Sequence, residues 1–103
     1  MRIWRGVVAT ERVAEYVRYI ETTGLSDYAS VEGSQGAQML TRDVGEGRTE
    51  VMTVSWWDSL ESIRGFAGDD ISAAKYYPED DAFLLEHDDA VRHYVVAGQF
   101  PMA

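Results

Sequence analysis

Hydrophobic positions change their period several times along the chain, and each change marks an element. In "RIWRGVV" (2 to 8) strict alternation puts Ile3, Arg5 and Val7 on one face and Trp4 and Val8 on the other, the pattern of a strand. In "ATERVAEYVRYIETTG" the spacing lengthens: Val13, Val17, Ile20 and Gly24 share one helical face with Tyr16 beside them. Thr10 suits the N-cap, Glu11 the first turn, and Gly24 a left-handed helix end. "LSDYASVEGSQG" has the composition of a loop, with room for one short helical turn at 26 to 30. Two strand-like runs follow, 36 to 43 and 48 to 57, and the glycine-bearing "VGEG" between them predicts a hairpin.

"DSLESIRGFAG" returns to helical spacing through Leu60, Ile63 and Phe66 or Ala67, with Asp58 or Ser59 as N-cap and Gly68 at the end. "DDISAAKYYPEDD" predicts a second short helix, stopped near Pro78 because proline disfavours helical geometry in the residue before it. "AFLLEHDD" reads as a helical turn or irregular chain. "AVRHYVVAG" reads as a last strand, with Val91, His93 and Val95 opposite Arg92, Tyr94 and Val96. The resulting order, β-α-β-β-α-β, predicts an α+β fold of ferredoxin-like type: an antiparallel sheet of four strands with its helices on one face. A chain of 103 residues supports one core, so residues 1–103 form a single domain. The sheet's other face carries apolar positions, and a second copy covering it predicts a symmetric homodimer.

Charge and composition then narrow the chemistry. Eighteen acidic against nine basic residues repel phosphate backbones, and no basic cluster makes a local exception, so neither nucleic acid nor an anionic membrane is an expected partner. The absence of cysteine excludes thiolate catalysis, disulfides and cysteine-ligated metal. "MRIWRGVVATE" lacks the long apolar segment of a secretory leader, and no apolar run approaches 18 residues; the expectation is a cytoplasmic protein. The acidic groups 69–70, 79–81 and 88–89 lack calcium-loop spacing and read as solvated surface, so no metal is expected. Nucleophile-elbow, phosphate-loop and dinucleotide fingerprints are absent, which removes the sequence basis for hydrolase, kinase and pyridine-nucleotide chemistry.

"RIWRG", "LTRD", "TVSWWDSLESIRGFAGDD" and "YYPEDDAFLLEHDDAVRHYVV" together resemble the antibiotic biosynthesis monooxygenase-like superfamily of dimeric α+β barrels, over nearly the whole chain. The resemblance implies a pocket in each subunit between sheet and helices, with Trp57 and the stretch from Phe66 to Tyr77 along it. It also implies cofactor-independent oxygenation of an aromatic or polyketide-like small molecule, or use of the same barrel as a non-catalytic binding or accessory protein. The haem-degrading branch of the superfamily places an asparagine, a tryptophan and a histidine where this chain has Trp4 or Arg5, Phe66 and Tyr76. All three differ. Tyrosinate can ligate haem iron, so Tyr76 is the one residue that keeps haem in view, but the expected cofactor is none.

Within that reading Tyr76, His93 and Arg5 are the catalytic candidates. A tyrosine or histidine can manage the proton of a substrate hydroxyl, and an arginine can stabilise the enolate or phenolate that results. Each has a plainer account: Tyr76 as a helix end with a wet hydroxyl, His93 as a satisfied strand residue, Arg5 as the ion-pair partner of Glu50 on a neighbouring strand. Trp4, Trp57, Phe66 and Tyr77 are the substrate-binding candidates, with core packing as the competing account of each. His87, between acidic residues, reads as surface.

Overall fold

The computed structural model describes residues 1–101. Strand β1 (Arg2–Ala9) leads through a 3-10 turn (Thr10–Arg12) into helices α1 (Val13–Thr22) and α2 (Gly24–Ser30). Strands β2 (Ser34–Gly45) and β3 (Arg48–Trp57) follow, then helix α3 (Leu60–Ala67), the short helix α4 (Asp80–Phe83), and strands β4 (Leu84–His87) and β5 (Arg92–His93). The fold is α+β, an open antiparallel sheet of five strands in the order β2-β3-β1-β4, with β5 also paired to β1. That order is consistent with a ferredoxin-like arrangement.

The hairpin forms where the sequence puts it. Gly45 pairs with Arg48, which leaves Glu46 and Gly47 as a two-residue turn, both at positive φ (57° and 73°) as a type I′ connection requires. Asp43 Oδ1 accepts from the Gly45 amide at 2.8 Å and steadies the approach. Helix α3 also starts as expected: the Ser59 side chain accepts from the Ser62 amide, and Gly68 ends the helix at φ 85°.

Four segments depart from the sequence reading. Gly24 does not terminate the first helix; Thr23 makes the break, and Gly24 opens α2, which is a full helix rather than a single turn in a loop. Thr10 does not cap with its side chain; its hydroxyl lies 2.8 Å from that of Thr49. The short helix expected before Pro78 is absent. The Ile71 and Ala73 carbonyls, which would accept helical hydrogen bonds, are instead bonded to the Arg2 guanidinium, and Ala73 bridges to Ala90. Residues 74–77 have no regular structure, and α4 begins after the proline.

The last strand is likewise redistributed. Residues 84–87, read as a turn, pair with β1 at Gly6 to Val8, whereas residues 94–98, read as strand, carry no regular structure. Between β4 and β5 the chain leaves the sheet edge at Ala90 and Val91, and the Val91 amide bonds to the Ser72 carbonyl at 2.8 Å. Both strands thus lie on one edge of β1, with an outward excursion between them.

Alternation along β1 and β3 sends Trp4, Val8, Val51 and Trp57 toward the helices. Trp4, Val8 and Val51 pack with Tyr16 and Ile20 of α1 and Phe83 of α4; Trp57 packs with Tyr28 of α2 and Ile63 and Phe66 of α3. All four helices therefore meet the same face of the sheet. Gly6 makes that packing possible at β1, since a Cβ there would lie 2.8 Å from the Trp4 ring and 2.9 Å from Leu84.

Candidate functional site

The two core clusters leave a cavity where they meet. It contains about 420 Å³ of empty space counted out to its open mouth, is narrow inside, and draws its walls from both clusters. Trp4, Tyr16, Ile20, Tyr28 and Phe66 supply the apolar body, and Arg2, Lys75, Tyr76, Tyr77 and Asp80 the polar groups. Mostly apolar walls with a few convergent polar groups are the usual composition of a small-molecule site.

Of the seven residues singled out from the sequence, four line this cavity: Trp4, Phe66, Tyr76 and Tyr77. The Tyr76 hydroxyl accepts from Trp4 Nε1 at 3.3 Å, and lies 2.7 Å from His87 Nδ1 and 3.0 Å from the Asp88 carbonyl. Its ring meets that of Trp4 edge-on. Burial pushes the phenol pKa up, so Tyr76 keeps its proton near neutrality and can donate it to His87 or to the carbonyl. Tyr77 donates its hydroxyl to Asp27 Oδ2 at 2.5 Å; burial first, then that carboxylate, raise the Tyr77 pKa as well.

The other three stand apart from it. Arg5 lies on the sheet face away from the helices, where its Nε is 2.6 Å from Glu50 Oε2, with Glu86 and Asp88 next nearest. That is the ion pair which competed with a catalytic role for Arg5. His93 is on the helix side but behind Arg2: Arg2 Nη1 donates to His93 Nε2 at 3.3 Å. Arginine can only donate, so Nε2 accepts and the neutral ring carries its proton on Nδ1. Burial and the adjacent Arg2 charge lower the His93 pKa. Trp57 donates Nε1 to Ser55 Oγ at 2.8 Å and lines a different, more open groove, of about 740 Å³, with Trp56, Leu60, Ile63 and residues 94–96.

Sequence reasoning missed residues that line the cavity, Asp80 and Arg2, and one that holds a lining residue from outside, His87. Asp80 is 3% exposed, accepts from the Tyr16 hydroxyl at 3.1 Å and the Tyr77 amide at 2.6 Å, and has its pKa raised by burial. It was hidden in the tract "EDD", whose neighbours are exposed. His87, read as surface, is exposed yet holds the Tyr76 hydroxyl. Arg2 is 2% exposed and shares the helix-facing side of β1 with Trp4. Alternation two residues back from Trp4 was the signal that could have found it.

A porphyrin has no room in so narrow a cavity, and no histidine lines it, so these residues do not fit a haem. Among the described residues no three His, Asp or Glu side chains gather as a metal site, and no helix is long and apolar enough to cross a membrane. No protein-family model and no curated protein matches this chain.

Proposed function

We propose that the chain is a small, cofactor-independent monooxygenase-like protein that takes a planar hydroxylated aromatic or polyketide-like molecule into the cavity between sheet and helices. The observation that carries this reading is the Tyr76 hydroxyl at the cavity wall, held between Trp4 Nε1 and His87 Nδ1. With its own proton directed to His87, Tyr76 has a lone pair for a substrate hydroxyl. The substrate proton passes to Tyr76 as the Tyr76 proton passes to His87, leaving the substrate as its anion. An anthrone anion can then give one electron to dioxygen. The radical and superoxide recombine to a peroxide, and loss of water leaves the quinone, so one dioxygen supplies the new carbonyl oxygen and the water. The walls of Trp4, Phe66 and Tyr16 keep bulk water from the anion. Access for a ring requires Lys75, an exposed residue of the irregular 74–77 segment that lines the cavity, to move aside while Tyr76 keeps its place.

Oxygen uptake by the purified protein on a panel of anthrones and hydroquinones, with chelator present and autoxidation subtracted, tests the reading. Protein-dependent uptake should fall at least tenfold in Tyr76→Phe. Uptake equal in the variant removes Tyr76 from the chemistry. The narrowness of the cavity favours a second reading, a non-catalytic binding protein: there, no substrate is consumed, yet a ligand raises the melting temperature of wild type and Tyr76→Phe alike.

The proposal includes a homodimer. On the face away from the helices Leu40 is 45% exposed, and Ile3, Met52 and Trp56 are partly exposed beside it. A second copy laid on this face would bury them and close two open sheets into one barrel.

A further inference from the structure

Among the described residues Arg2 is a buried cation without an anion. Its side chain is 2% exposed in a chain with eighteen acidic residues, yet among the described residues no carboxylate lies within ion-pair distance of it. The guanidinium has five N–H donors and three acceptors in hydrogen-bond contact, the Ile71 carbonyl at 2.5 Å, His93 Nε2 at 3.3 Å and the Ala73 carbonyl at 3.0 Å, with the Tyr28 hydroxyl close by. None carries a formal negative charge. Nη1 is used twice and Nη2 once, while Nε has no partner and is the sole buried side-chain donor or acceptor left unsatisfied among the described residues.

Such an arrangement is costly unless something completes it, because a desolvated charge and an unmade hydrogen bond both oppose folding. Nε–H is one arm of the side-on fork with which arginine grips a carboxylate or an enolate oxygen pair, and Nη2, the other arm, has a single partner here. Arg2 lines the cavity, and its guanidinium lies 5.7 Å from the centre of the Phe66 ring, which lines it too. A second cation, Lys75, stands 4.7 Å from the same ring centre. We infer that the cavity is built for an aromatic anion, with the ring against Phe66 and Trp4 and the negative charge seated on the free edge of Arg2. The inference rests on the reading of this cavity as a ligand site, and it names the class of ligand; it does not require oxygenation.

Calorimetric titration under argon at neutral pH with 2-naphthoate and with 2-naphthamide, which match in shape and differ in charge, tests it. Wild type should bind the naphthoate at least tenfold tighter than the amide, and Arg2→Gln should abolish that preference while leaving the amide affinity within about twofold. If Arg2→Gln does not fold, Arg2→Lys decides: it keeps the charge but loses the fork, and the preference should drop at least threefold. Equal affinities in wild type, a preference that survives in these Arg2 variants, or one lost in Lys75→Gln instead, would overturn the assignment to Arg2 and leave the cavity reading standing. No binding of either compound would overturn both.

Discussion

Asp80 shows how much a single residue's surroundings decide. Its carboxylate is buried against Tyr16 and the Tyr77 amide, and burial outweighs those two hydrogen bonds, so its pKa lies above the ordinary value. A raised pKa means the folded state holds the proton longer than the unfolded state, so this group's contribution to stability is greatest below the unfolded value and declines as pH rises through the folded one. Asp80→Asn cannot titrate. Urea unfolding of both proteins at pH 4 and pH 7 should therefore show wild type losing ground to the variant as pH rises; wild type gaining ground instead would mean that Asp80 is held ionised. The sequence shows the residue types of such a site but not their exposure. "EDD" gives Asp80 no mark that distinguishes it from Glu79 and Asp81, which are exposed, and Arg2 and Arg5 differ only by lying an odd number of positions apart within one strand, which turns them to opposite faces. Offset from Trp4 tells which of them faces the helices, and Glu50 was already the expected partner of Arg5; only the packed structure shows that Arg2 has no carboxylate among the described residues.

At the level of elements, the sequence was most legible where local chemistry alone decides. The β2-β3 hairpin and α3 depend on neighbours a few residues apart, a two-residue turn and a serine cap, and both stand where alternation and helical spacing put them. Ser59→Ala should cost about 1 kcal/mol, through the cap bond to the Ser62 amide, and chemical denaturation measures it directly. A negligible loss would mean that the Asp58 carboxylate, which already accepts from Ser62 Oγ at 2.5 Å, takes over the cap. Residues 71–77 failed as a helix for a reason no local window contains: their carbonyl partners come from Arg2, about seventy positions earlier in the chain. The same holds for the last strand, whose position is set by the edge of β1 and by the Ala73 bridge rather than by its own alternation.

For the molecule as a whole, the open sheet face is where the proposed second copy would sit. It mixes apolar Ile3, Leu40, Met52 and Trp56 with the ion pairs of Arg5 and Arg42 to Glu50, so a self-complementary contact would have both a dry centre and fixed charges to set its register. Sedimentation velocity at micromolar concentration should give a dimer for wild type and a monomer with unchanged circular dichroism for Leu40→Asp; a wild-type monomer ends the barrel proposal. The α+β class and the strand order were legible because β-α-β-β-α-β leaves few ways to pair antiparallel strands. The cavity was legible only in part, since its aromatic walls are visible as residue types while its charges become special through burial.

The place of β1 in the sheet also bears on how the chain reaches this structure. It is the first strand in the sequence but an interior one in space: Arg2 pairs with Ser55 on one side and His93 on the other. Neither edge of the earliest strand can be satisfied until distant chain has been brought back to it, which puts loop closure, not local helix formation, in control of the folding rate. A nascent chain ending before Leu84 would have its hairpin and first helices yet leave one side of β1 unpaired, open to pairing with another chain. Commitment to the native sheet therefore waits on the last strands to be synthesised.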